Sequence, residues 1–416
     1  MHRQDAIARD CTQPIRGSEK DDVCFQRGRF LRPPLATQPS LLSKTAVSNQ
    51  LSTQAKQSFQ VVALFATVLV VGIHYKSAVP NHSDPGLASL NELAQEFLLG
   101  GIARVAVPVF AFAAGLFYFL SDDGTLATYR KKLRQRCRTL LLPYLIVGSV
   151  AMLFWAVVRV FEGKPFGMEV GEFFGTWLFR PPAEQLWFLR DLMVLVLIAP
   201  AIGFLCRHRV LRFGLIALVG GAWIGNQQFA PIVMGWHALH LETLLFFVLG
   251  CVAAAHPVWI ERAGQVSTST LSGVVLVWFA LVATRVGLRP NFDIWYNNEF
   301  GVVDLILHQT SILVGGVCLF GLAWRMRFDF WIQLSGASFF VYLVHEFPLR
   351  AVVARVAGRV CEPSTSCWIV APVVIVGCYA AAVVMSRLCP SVFAIITGGR
   401  GPTVALPRIK AITENA

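Results

Sequence analysis

His74 stands near one end of a long apolar run, FQVVALFATVLVVGIHYKSAVP from Phe59 to Pro80, with Lys76 two residues on. An ionisable side chain at the edge of hydrocarbon is costly, so one found there is a functional candidate by default. It has company. Arg104 opens the next apolar run. Gln185, Arg190 and Asp191 open a later one. His237, His240 and Glu242, then Asp304 and His308, then His345 and Glu346 flank others. Asp304 and His308 are one helical turn apart and share a face. A neutral histidine near a carboxylate acts as a general base toward a hydroxyl. A nearby arginine stabilises an oxyanion or holds a phosphate. Such a set suits acyl transfer to an alcohol, and a proton-coupled transporter of a polar solute would use the same residue types. His237, His240 and Glu242 also read as metal ligands, since His-x-x-His shares a helix face, but no resident metal is expected. No GxGxxG or Walker-type loop is present, which sets aside a nucleotide-hydrolysing pump.

These residues need elements to hold them at one depth. The chain has 416 residues, 55% hydrophobic and 14% charged, with a mean hydropathy of +0.59. Soluble domains carry about 25% charged residues. The apolar runs are continuous rather than alternating, and backbone in lipid must pair internally, so helices are favoured over a barrel. The expected fold is all-α: a polytopic transmembrane helical bundle of about ten spanning helices. The net charge of +12 is gathered mainly in short segments between runs. That is the positive-inside pattern rather than a nucleic-acid surface.

Residues 1–55 are polar and proline-bearing, without an apolar run for a signal peptide, and are expected to be a disordered cytoplasmic segment. Residues 56–390 form the membrane domain and 391–416 a cytoplasmic tail. The densest basic stretch is DDGTLATYRKKLRQRCR, holding Arg130, Lys131, Lys132, Arg134, Arg136 and Arg138. It is placed in the cytoplasm as a loop. The 81–96 loop is then outside, and both termini are inside. Spans follow at about 140–161, 186–205, 210–225, 239–255, 269–287, 302–323, 331–350 and 367–386. In this topology His74, Arg104, Arg190, Asp191, Glu242, Asp304, His308 and His345 fall in one layer toward the outer face, which predicts an aqueous cavity open to that side. Arg350, Arg355 and Arg359 on the outside run against the charge rule. Cys361 and Cys367, in the same outer loop, either pair in oxidising surroundings or stay two thiols.

Several strings together resemble the acyltransferase-3 family of integral membrane acyltransferases. They are the helix ending VVGIH at His74; RVAVPVFAFAAGL with Arg104, Pro108, Phe110 and Gly115; LLLPYL with Pro143 and Tyr144; QLWFLRDLMVLVLIAP with Trp187 and Pro200; FFVLG ending at Gly250; and LSGASFFVYLVHEF with Ser335, Ser338, Tyr342 and His345. They occur in family order over about residues 58–390. Three positions depart from the family pattern: Ala63 stands where an arginine is usual, Ala114 where a serine is, and Gln185 where a histidine is common. Arg104, Arg190 or a residue of the basic stretch would have to substitute for the missing arginine.

The resemblance implies transfer of an acyl group, usually acetyl from acetyl-CoA, to a sugar hydroxyl of a surface glycan (exopolysaccharide, lipopolysaccharide or peptidoglycan) at the inner membrane. No bound cofactor is implied; acyl-CoA is the donor substrate. His74, Arg104 and His345 are then the expected catalytic residues, with His74 taking the acceptor proton or carrying the acyl group. Arg130, Lys131, Lys132, Arg134, Arg136 and Arg138 would meet the CoA phosphates. Trp187, Arg190, Asp191, Glu242, Asp304, His308 and Tyr342 would surround the acceptor, and Asp191, Glu242 or Asp304 would orient His74.

Overall fold

The computed structural model describes residues 50–76, 90–164, 167–288, 301–360 and 366–402. The described chain is a helical bundle with one two-residue hairpin. Seven helices are long and apolar enough to cross a membrane, and an eighth span is made by Leu241–Ala254 and Pro257–Gly264, bent by 98°. The expected number of spans, about ten, is therefore somewhat high for the described residues. Two expected spans account for the difference. The fifth is the 16-residue helix Arg209–Ile224. The ninth is divided into Asp329–Ser335, Ser338–Val344 and Leu349–Ala357. Pro348 explains the last break, because proline lacks an N–H and disfavours helix in the residue before it.

The first helix, Thr53–His74, starts where Ser52 accepts a hydrogen bond from the Ala55 N–H, a standard N-cap. Residues 53–55 thus belong to the bundle rather than to the polar N-terminal segment. From Gln57 to Tyr75 the sequence has no Asp, Glu, Lys or Arg. Its two hydroxyls turn back onto the helix, Ser58 donating to Gln54 O and Thr67 to Ala63 O, each at 2.8 Å. Neither hydroxyl then needs lipid or water to satisfy it.

The second span is uneven: Leu90–Gln95 is α-helical, Glu96–Gly101 a π-helix, Ile102–Val105 a 3₁₀ turn, and Ala106–Leu120 α-helical again. Glu96, in the π segment, pairs with Lys76 and Arg285, tying the end of the first helix to Thr268–Leu288. The Ala106–Leu120 and Leu241–Ala254 helices touch backbone to backbone. A Cβ on Gly115 would overlap Phe247 O, and one on Gly250 would overlap Phe112 O. Small residues allow such close approach in membranes.

The expected basic loop is instead helical. Leu126–Arg136, capped by Thr125, runs through a π segment at Cys137–Leu141 into Leu142–Phe161. The segment 162–185, expected as an outer loop, contains the helix Val170–Phe179. Past the last span, Pro390–Thr397 is helical and the described chain runs on without helix to Pro402, so the first part of the expected tail is folded. Cys361, one half of the expected cysteine pair, lies outside the described residues.

Candidate active site

One stripe of the first helix organises the interior. Lys56, Phe59, Gln60, Ala63 and Thr67 line a cavity of about 610 Å³. Val70, Ile73 and His74 continue the same face into a second, smaller cavity of about 70 Å³. The spacing of three and four keeps all eight on one side, and the stripe covers about 27 Å from Lys56 to His74 at 1.5 Å per residue. Phe188 and Tyr342 belong to both linings. Their rings sit 6.3 Å apart, edge to face.

The small cavity gathers His74, Arg104, Gln185, Trp187, Glu242, His308 and Tyr342. Six separate helical segments contribute. Glu242 accepts from the Trp223 indole N–H at 3.1 Å, a contact with no signal in the sequence. Tyr342 donates to Gln185 O, while the Gln185 amide donates to Leu343 O at 3.0 Å. Gln185 therefore ties the start of its span to the Ser338–Val344 helix.

His345 is fully buried just behind His74, with ring centroids 5.0 Å apart and nearly perpendicular. Its Nδ1 faces Val341 O at 3.1 Å and Tyr342 O at 2.9 Å. Carbonyl oxygens only accept, so Nδ1 carries the proton. Nε2 is left as a bare lone pair and has no hydrogen-bond partner. The Tyr75 hydroxyl donates to His345 O at 2.8 Å, which fixes the backbone carrying that ring. The helix ends at Val344, so His345 occupies a break rather than the outer end of the unbroken span that the sequence suggested.

Several expected site residues lie elsewhere. Asp191, fully buried, takes the His240 backbone N–H and Nδ1, each at 2.9 Å, and Arg190 at 3.3 Å. Arg190 also donates to Phe179 O at 3.2 Å and to His237 O, and stacks over Trp236. Trp236 and His237 form a strand paired with Ile232–Val233 through a turn at Met234 and Gly235, both at positive φ, the geometry of a tight hairpin. Arg190 and Asp191 thus brace this hairpin, and neither lines the small cavity. Trp187 stands between, its ring 4.4 Å from that of His240. Asp304 accepts from Gly301 N at 3.1 Å at the start of its helix. Its turn-mate His308 reaches the cavity and Asp304 does not. Of the three carboxylates expected to orient His74, only Glu242 shares its cavity. Among the described residues no three His, Cys, Asp or Glu side chains gather as a metal site.

The basic stretch divides by helix face. Arg130, Lys131, Arg134 and Arg138 are exposed around an open hollow of about 1040 Å³ with Ala394, Ile395 and Gly398. Lys132 turns inward, donating to Tyr118 O at 2.6 Å and Asp122 at 3.1 Å. It is a paired helix anchor, not part of an open phosphate surface. Arg136 lines the large cavity together with Arg400. Arg400 lies past the last span and drew no notice in the sequence, where its one signal is the string GGRG at 398–401.

Residues 58–387 match the family model described as an acyltransferase domain. Over 323 residues the chain is 27% identical to the succinoglycan biosynthesis protein ExoH of Rhizobium meliloti (strain 1021), an alignment covering 73% of this chain and 81% of that protein. No solved structure matches.

Proposed function

Because the chain belongs to the acyltransferase-3 family of multi-pass membrane acyltransferases, we propose that it moves an acyl group, in the first instance acetyl, from acyl-CoA to a hydroxyl of a surface glycan. The observation that carries this reading is the arrangement of two cavities on one stripe of the first helix, meeting at Phe188 and Tyr342. The large cavity receives the donor from the side of the basic Leu126–Arg136 helix, which the positive-inside bias assigns to the cytoplasm. The small one brings the acceptor hydroxyl to His74. The glycan acceptor is supported by the likeness to a succinoglycan biosynthesis protein.

In this mechanism the unpartnered His345 Nε2 takes up the N–H of His74 once the acceptor is bound. The other His74 nitrogen then removes the proton of the sugar hydroxyl. The hydroxyl oxygen attacks the thioester carbonyl, and Arg104 faces the negative charge that develops on its oxygen. The C–S bond breaks, the acyl group stays on the sugar, and His74 returns the proton to the departing CoA thiolate. No oxidant or further reactant is needed. Tyr342 and Phe188 bound the meeting point, and His308 and Glu242 offer hydrogen bonds to the acceptor.

The test uses the full chain reconstituted in vesicles with acetyl-CoA and a lipid-linked or soluble glycan. Release of free CoA thiol should require the glycan, and mass spectrometry should find the glycan acetylated. Uptake of a polar solute without any CoA release would replace this reading with that of a transporter.

A further inference from the structure

The large cavity has an unusual balance of charge. Its walls carry Lys56, Arg136 and Arg400, and among its described lining residues there is no Asp or Glu. Arg136, half-buried, forms no hydrogen bond or ion pair with any described residue; the Lys56 ammonium likewise has none but is exposed. A guanidinium partly withdrawn from water without a partner is costly, and two such groups facing one space compound that cost. Burial, with the Arg136 charge adding to it, pushes Arg400 down to about 10.

Arg400 is held in place by the segment that carries it. Its Nη1 donates to Thr139 O at 2.9 Å and Thr397 O at 3.3 Å, and the guanidinium lies 4.2 Å from the Phe339 ring centre. Nε and Nη2 are left with no partner among the described residues. The neighbouring glycines permit this path. Gly398 is at φ +62, where a Cβ would lie 2.6 Å from Thr139 Cα, and a Cβ on Gly336 would overlap Gly401 O. The segment 398–401 therefore threads a gap that side chains would close.

We propose that Arg136 and Arg400, with Lys56 at the rim, form an anion site for the phosphates of the donor, so that the post-span segment Gly398–Gly401 is part of the donor site. This rests on the acyl-CoA reading above and relocates its charged contacts. Arg130, Lys131, Arg134 and Arg138 face an exposed hollow instead. Guanidinium groups bind phosphate through paired N–H donors, and Arg400 has such donors to offer. From Gln60, near the rim, to His74 the stripe runs about 21 Å, a span suited to an extended phosphopantetheine arm.

The experiment compares Arg400→Gln, Arg136→Gln and the double variant Arg134→Gln/Arg138→Gln in the full-length protein. KM is measured for acetyl-CoA and for S-acetylpantetheine, which lacks the nucleotide and phosphates. Binding of adenosine 3′,5′-bisphosphate is measured separately, by calorimetry on nanodiscs of neutral lipid and of neutral lipid with phosphatidylglycerol. The expected result is that Arg400→Gln and Arg136→Gln each raise KM for acetyl-CoA by about tenfold, the scale of one charge-assisted hydrogen bond. KM for S-acetylpantetheine should stay constant, which also shows that the variants fold. Bisphosphate binding should weaken in parallel, while Arg134→Gln/Arg138→Gln leaves both unchanged. An acetyl-CoA KM that moves only with the Arg134 and Arg138 pair would overturn the proposal. So would bisphosphate binding indifferent to Arg400, or lost whenever phosphatidylglycerol is present, which would mark a lipid headgroup site. Arg400-dependent bisphosphate binding in a protein that never releases CoA would leave the anion site standing and remove the acyl-transfer reading.

Discussion

Two polar clusters lie side by side in this bundle, with similar ingredients and opposite accounting. In the first, Asp191 takes two bonds from His240 and one from Arg190, and Arg190 spends its donors on Phe179 O and His237 O. Each of those bonds ends on the protein itself. In the second, His345 has one nitrogen fixed by carbonyls and the other without a partner among the described residues, next to His74, which lines the small cavity while His345 itself does not. Buried charge alone therefore does not mark a reactive site. A cluster whose carboxylate is taken up by its own cations is a brace, even with Arg190 Nε left over; one that keeps an unpartnered imidazole nitrogen behind a cavity-lining histidine can do chemistry.

The contrast can be broken most forcefully at His74. His74→Ala should lower acyl transfer by about 10²–10⁴-fold, the range for removing a general base, while membrane insertion and yield stay normal. Full activity in glycan-dependent CoA release would end the base assignment. Next in size, His345→Ala should cut kcat by about 10²-fold at the low end of the same range, with KM for both substrates little changed. A change confined to KM would mean that His345 shapes binding instead. On the other side of the comparison, Asp191→Asn should cost about 3 kcal/mol of stability, the scale for breaking a buried pair. The folded remainder should transfer acyl groups nearly as fast as the parent. A large loss of kcat at normal stability would move Asp191 into the reactive cluster. The smallest effect is expected at Asp304. Asp304→Ala should cost about 1 kcal/mol through its helix-start contact and leave turnover unchanged, as read by denaturation and by activity together.

Much of this was legible before any coordinates. Continuous apolar runs identify a helical membrane protein because lipid offers no partner to an open backbone. His74, Arg104, Glu242, His308 and Tyr342 share a cavity, and each stood out as a polar residue near the end of an apolar run. Pairing was not legible. Asp191 and Glu242 look equivalent in the sequence, yet one is consumed by His240 and Arg190 while the other reaches the cavity. That outcome depends on the hairpin at residues 232–237, whose fold sets where His240 falls. Helix face also decided the fate of the basic stretch. Once it is a helix rather than a loop, at about 100° per residue Arg134 stands about 160° round the axis from both Lys132 and Arg136, so the stretch cannot act as one patch. Arg400 was missed for a simpler reason: it follows the last span, where a polar tail was the natural expectation.

The shared wall of Phe188 and Tyr342 has a consequence for the cell as well as for the reaction. The cavities lie toward opposite ends of a bilayer-length helix, so without that aromatic septum they would join into one hydrated pore. Protons would then run down their gradient through the enzyme. A Phe188→Ala protein should on this view be toxic in proportion to its expression, depolarising the membrane even when it has nothing to acylate.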